Sequence, residues 1–169
     1  YPRVAKRWKR GTPLAEATTI FEGRHEDIGI WPRVMDCGEE TIALVDQSLT
    51  FFTGAFHVIG LDGKLTSLPL QESADLAGFY AGRLLFTLRE AWEVDGQTHA
   101  QGALLAINAA VFQATGKLPS IETIYTPDER TSIEGVTVSR SVFTSPCCKT
   151  LRAASVSYTH LTLPTSPHV

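Results

Sequence analysis

Ser73-Ala-Asp-Leu-Ala-Gly-Phe-Tyr-Ala-Gly-Arg-Leu-Leu-Phe-Thr-Leu-Arg-Glu-Ala-Trp-Glu-Val94 is the stretch on which the fold class depends. Leu76, Tyr80, Leu84, Leu88 and Trp92 recur every four residues, and Phe79 and Phe86 widen the stripe they form. This spacing puts apolar side chains on one face of an α-helix. Ser73 suits an N-cap, and Asp75 falls in the first turn, where a carboxylate complements the helix dipole. Ala74, Gly78 and Gly82 make a second row of small residues. An interior glycine costs about 1 kcal/mol relative to alanine, so close backbone packing is the expected compensation. The pattern predicts a helix over 73–94.

Moving outward toward the C-terminus, Asp95-Gly96 breaks that helix, and Thr98 with Gln101 offers a capping box for a second one ending near Thr115. Gly116 is a natural stop, with Pro119 beyond it. No Asp, Glu, Lys or Arg occurs from His99 to Thr115, and Ala103, Ala106, Ala109, Ala110 and Ala114 alternate with Leu104, Leu105, Ile107, Val111 and Phe112. A helix of this composition has little solvent face. Two strands then follow, Ile121 to Thr126 and Val136 to Phe143, joined by the polar loop 127–132.

Outward in the other direction, Thr41–Val45, Leu49–Phe52, Ala55–Ile59 and Lys64–Leu68 are short runs rich in β-branched and aromatic residues, the composition of strands. Asp62-Gly63 between the last two favours the positive φ angles of a tight hairpin. Residues 1–39 are poorly patterned and basic, with a short helix expected from Pro13 into Phe21. The expected architecture is α+β: an antiparallel sheet of about five to six strands with a helical hairpin on one face, occupying 40–154.

Composition bounds the function. Hydrophobic residues are 43% and charged residues 20% of the chain, which is ordinary for a globular protein. Five cationic side chains and no anionic ones fall in the first ten residues, leaving ten against eighteen across the rest. Arg3, Lys6, Arg7, Trp8, Lys9 and Arg10 could meet nucleic-acid phosphates and stack on a base, but the acidic body opposes a general polyanion surface. Cys37, Cys147 and Cys148 make no disulfide framework and suit a reducing compartment, so the default location is cytoplasmic. No apolar run approaches the roughly 20 residues that cross a bilayer, so no integral membrane segment is expected.

Both ends read as open. The chain begins at Tyr1, its only methionine is Met35, and nothing near the start has the pattern of a signal peptide. The closing segment Ser155-Val-Ser-Tyr-Thr-His-Leu-Thr-Leu-Pro-Thr165 resembles one reading frame of a common transposase-type sequencing-library adaptor. The same frame runs on to valine and a stop codon, so 155–169 is expected to be translated adaptor and 40–154 a truncated domain.

Candidate chemistry is sparse. Cys147 and Cys148 after Pro146 could belong to a truncated zinc or iron-sulfur motif, with Cys37, His25, His57 and His99 as further donors. Asp46, at the end of an apolar run, could act as base or ligand with His57, and His99 and Asp62 could join it. The groups 25–27 and 36–40 read as solvated loops. No Walker loop, dinucleotide fingerprint or nucleophile elbow occurs, and Gly78 and Gly82 sit in a helical pattern that removes them as phosphate binders. The leading expectation is a non-catalytic binding or assembly module. In it Gly78, Gly82, Ala103, Ala106 and Ala110 pack against a second copy or a protein partner. The competing expectation is a hydrolytic or metal-dependent enzyme using Asp46 and His57. Neither identifies a cofactor.

Overall fold

A computed structural model describes residues 3–60, 62–127 and Val136. Among the described residues the chain forms twelve β-strands, one short α-helix and a single 3-10 turn at Leu14–Glu16. This is a largely β structure, and it replaces the α+β expectation. Strands β1 (Val4–Arg7) and β2 (Thr18–Glu22) make an antiparallel pair. Strands β3 (Gly29–Cys37), β4 (Glu40–Ser48), β5 (Gly54–Ile59) and β6 (Leu65–Leu68) form a four-stranded meander, the first sheet. Strands β7 (Ala74–Tyr80), β8 (Arg83–Leu88), β11 (Leu104–Asn108) and β12 (Glu122–Tyr125) form a second one in the same sequential order. Between β8 and β11 the chain puts out a small hairpin of β9 (Trp92–Val94) and β10 (Gln97–His99).

The helix expected over 73–94 is therefore three strands. Its cause is local: Tyr80 pairs with Arg83 across a two-residue turn in which Ala81 and Gly82 both have positive φ, 47° and 70°. That is the type I′ geometry that matches strand twist. Asp95 and Gly96, at 50° and 72°, repeat the device between β9 and β10. A four-residue repeat also keeps side chains on one face of a strand, because four is a multiple of two. Leu84, Phe86 and Leu88 thus face one way and Leu85 the other, and all four are buried.

The second expected helix survives only as α1 (Ala109–Thr115). Asn108 caps it, its side-chain oxygen accepting the Val111 N–H at 3.0 Å, and Gly116 ends it with φ of 66°. The uncharged run before it is β11, which lies between β8 and β12 and is buried on both faces, so it carries no polar alternation. Three further expectations are corrected. The helix from Pro13 into Phe21 is the 3-10 turn followed by β2. Leu49–Phe52 is a turn, not a strand. Apart from Val136, the strand expected at 136–143 lies outside the described residues.

The two sheets stack face to face. Ile42, Leu44, Phe56, Val58 and Leu68 from the first meet Phe79, Leu84, Phe86, Leu88, Leu105 and Ile107 from the second, with Phe112 of α1 closing the core. On the far face of the first sheet lies the β1–β2 pair, whose Phe21 ring sits 4.7 Å from that of His57. The far face of the second sheet carries Leu85, Leu104 and Ala106, with Tyr80, Ile124, Tyr125 and Val136 packed against them.

Candidate functional site

Register decides which polar side chains can cooperate. Asp46 stands opposite Phe56, and His57 opposite Val45. Directly opposed residues share a face and sequential neighbours do not, so Asp46 and His57 point to opposite sides of the first sheet. The hydrolytic pair expected from the sequence is not assembled.

His57 instead ends a buried polar chain beneath the β1–β2 pair. The Asp27 carboxylate can only accept, so the Gln47 side-chain NH2 must face it, at 2.6 Å; the Arg24 backbone N–H donates to the same oxygen at 2.7 Å. The Gln47 oxygen is left facing His57 Nε2 at 2.9 Å, which requires the proton on Nε2. Asp27 and Gln47 are only 3% and 8% exposed. Burial holds the His57 imidazole below its ordinary value, which favours the neutral ring. These groups are occupied in holding the fold.

Asp46 belongs to a different constellation, at one end of the cleft between the sheets. Arg33 on β3 reaches it across the ladder at 3.0 Å. Facing them from the second sheet, Arg89 donates through Nη2 to Asp75 Oδ1 at 2.9 Å. Burial pushes the Asp46 carboxyl above its ordinary value; Arg33 opposes the rise and Asp75 adds to it. The four charged groups line a recess of about 250 Å³ together with Glu72, Phe51 and Phe52. The two phenylalanines sit on a turn built by Thr50, whose Oγ1 accepts the N–H groups of Phe52 at 3.1 Å and Thr53 at 3.0 Å. They are 85% and 74% exposed, so the turn presents aromatic surface to solvent.

Asp46 was thus the one member of this cleft that the sequence singled out. Arg33, Asp75 and Arg89 were missed, because sheet register and sheet stacking bring them there and no spacing announces it. Phe51 and Phe52 were read as the last two residues of a strand, Leu49–Phe52. Asp62 accepts the Lys64 N–H at 3.0 Å in the hairpin turn, far from any shared site. His99 is buried, with Nδ1 3.3 Å from Thr123 Oγ1. Cys37 is a free thiol packed against the core, and Cys147 and Cys148 lie outside the described residues. Among the described residues no three His, Cys, Asp or Glu side chains gather as a metal would require. Nor is any helix long and apolar enough to cross a membrane.

The packing row expected from Gly78, Gly82, Ala103, Ala106 and Ala110 does not exist as one surface. Ala103 and Ala106 are buried within the chain, Gly78 adjoins a β-bulge, Gly82 forms a turn and Ala110 is on α1. Burial within the chain accounts for the uncharged run from Ala103 to Ile107, whereas Ala110, Val111 and Ala114 on α1 are exposed.

No family model matches the chain. It is similar to a protein of Sinorhizobium fredii described as "Uncharacterized peptidase y4nA", with 24% identity over 151 residues, covering 83% of this chain and 20% of that protein. Its fold is similar to the solved structure of a post-proline cleaving enzyme from Rickettsia typhi, with a TM-score of 0.70 and 19% identity over 82% of this chain and 21% of that one. The chain therefore spans about a fifth of the length of each. A sequence likeness to a peptidase and a fold likeness to a post-proline cleaving enzyme overturn the expectation of a non-catalytic binding or assembly module.

Proposed function

We propose that this chain is part of a longer peptide-hydrolysing enzyme, in which its two stacked meanders are adjacent blades of a β-propeller. The observation that carries the reading is the repeated four-stranded antiparallel sheet, stacked face to face, in a chain similar by sequence to one peptidase and by fold to another. Propellers are built by this radial repetition, and each blade buries its faces against its neighbours. Hydrolysis itself is assigned to residues other than Asp46 and His57, since those two face opposite ways.

The test is peptide hydrolysis by the intact protein that carries this chain. Internally quenched peptides with and without proline are incubated with the purified protein, and cleavage products are identified by mass spectrometry. Cleavage is expected, and His57→Asn should leave kcat unchanged in whatever fraction folds. An intact, folded protein that cleaves no peptide in the set refutes the proposal.

A further inference from the structure

β1 and β2 pair only with each other among the described residues, yet they are placed like half of a larger sheet. Three antiparallel pairs follow one another in the stack: β1–β2, β5–β6 and β11–β12, of which the second and third are the last two strands of four-stranded sheets. Each pair touches the next at the same end. Arg7, closing β1, lays its guanidinium against the β5–β6 turn, where a Cβ added to Gly63 would meet Nη1 at 3.3 Å. Gln113, on the α1 connection from β11 to β12, donates through Nε2 to the carbonyl of Ile59, closing β5, at 3.4 Å. At the other end, residues 23–28 carry β2 into β3 as residues 69–73 carry β6 into β7. By position β1 and β2 are thus third and fourth strands.

Two observations mark where first and second strands belong. One is the edge of β1. The Arg3 carbonyl accepts the Gly23 N–H at 2.8 Å, so Arg3 and Ala5 turn their backbone groups toward β2, and Val4 and Lys6 turn theirs away. An open edge of this kind is a template for another strand. The other is the far face of the first sheet. Register puts Ile30, Pro32 and Val34 of β3 on that face, opposite Gln47, Val45 and Ala43. Val45 is fully buried there, but Pro32 is exposed and Val34 is 68% exposed. The cover given by β1–β2 therefore stops short of β3. The bare strip begins beside the open edge, since a Cβ on Gly23 would meet Arg3 Cβ at 3.4 Å and Ile30 Cγ2 at 3.2 Å.

We propose that two antiparallel strands of the longer protein add to the open edge of β1, completing a third four-stranded sheet that packs on Pro32 and Val34. Strands fit because the edge offers backbone donors and acceptors in register, and two are needed to match the other sheets. That they come from the same polypeptide rests on the reading of this chain as part of a longer propeller. That a strand is needed rests on the edge and the bare strip.

The test is amide hydrogen exchange in the intact protein, resolved by residue with fragmentation mass spectrometry. Glu22 is the internal control: it stands opposite Val4, so its N–H points to the outer edge of β2. The Val4 and Lys6 amides should exchange at least about a hundredfold more slowly than that of Glu22. Val34→Asp should cut their protection by about tenfold, and the milder Val34→Thr by about threefold, while Leu44 in the central strand β4 stays protected and shows that the sheet is folded. Exchange at Val4 and Lys6 as fast as at Glu22, or full protection persisting in both variants, overturns the proposal. So does protection that vanishes on dilution to a monomer, which assigns the edge to a second copy. Protection without peptide hydrolysis leaves the completed sheet standing and removes the peptidase reading. Hydrolysis with an unprotected edge does the reverse.

Discussion

Replacing Gln47 by leucine removes the central link of the buried Asp27–Gln47–His57 chain while keeping the side chain's approximate volume. Two hydrogen bonds go, one of them to a carboxylate on a residue 3% exposed. A bond to a charged group contributes about 1.5–3 kcal/mol and a neutral one about 1 kcal/mol, and the added apolar burial returns part of this. The expected loss is about 2–4 kcal/mol. With a urea m-value of about 2 kcal/mol per molar, the unfolding midpoint should fall by about 1–2 M with the slope unchanged. Tryptophan fluorescence suits the measurement, because Trp8, Trp31 and Trp92 are spread over β1–β2, the first sheet and the inserted hairpin. The decisive arm is a double-mutant cycle with Asp27→Asn. If Gln47 acts through that carboxylate, the two changes together should cost about 1–3 kcal/mol less than their sum. A midpoint shift under about 0.3 M, or strict additivity in the cycle, would falsify the reasoning that this chain fastens β1–β2 to the first sheet.

Three further outcomes follow from the same geometry. Because burial depresses the His57 value in the folded state, the unfolded chain binds more protons below its ordinary value of 6.5, and stability should fall as pH drops through that value toward the folded one; urea midpoints at about pH 7.5 and 5.5 should show the fall, and His57→Gln should flatten it. Ala81 holds a positive φ of 47°, which strains alanine, so Ala81→Asn should raise stability by about 0.5–1 kcal/mol; a fall on thermal unfolding contradicts the turn assignment. At Gly54 an added Cβ would lie 2.9 Å from the Gln47 carbonyl oxygen, and that backbone cannot swing aside, so Gly54→Ala should cost about 1–3 kcal/mol and a neutral result would show the ladder is looser there.

Three strands of the first sheet were legible because they obey simple rules, whereas β3 was missed inside the segment 1–39 read as poorly patterned. Thr41–Val45 and Ala55–Ile59 fall inside β4 and β5, and Asp62-Gly63 supplies the turn before β6. The second sheet was misread for a physical reason. It is buried on both faces, so Leu84, Leu85 and Phe86 lack the polar alternation that marks a half-exposed strand. With alternation gone, the four-residue repeat from Leu76 to Trp92 fits helix and strand equally, and only the turns distinguish them. Ala81-Gly82 was the available signal, an apolar residue and a glycine between two runs of suitable strand length, and Asp95-Gly96 repeated it one hairpin later.

Site legibility failed one level higher. Asp46 and His57 come from paired strands and have the right chemistry for each other, yet a one-residue offset in the ladder puts them on opposite faces. Arg33 reaches Asp46 because its own partner is Leu44, two residues along and therefore on the same face. Asp75 meets them only because a second sheet stacks on the first, and that stacking is encoded in apolar residues with no charge of their own: Ile42, Leu44 and Phe56 against Phe79 and Phe86. A cleft of this kind is a by-product of how two cores fit, and its charged rim can be recognised once the pairing partners are known. The turn carrying Phe51 and Phe52 follows the same logic in reverse. Beyond the end of β4 at Ser48, the Thr50 hydroxyl accepts the N–H groups of Phe52 and Thr53, and this local side-chain bonding, which competes with ladder pairing, is what takes the chain out of the sheet there.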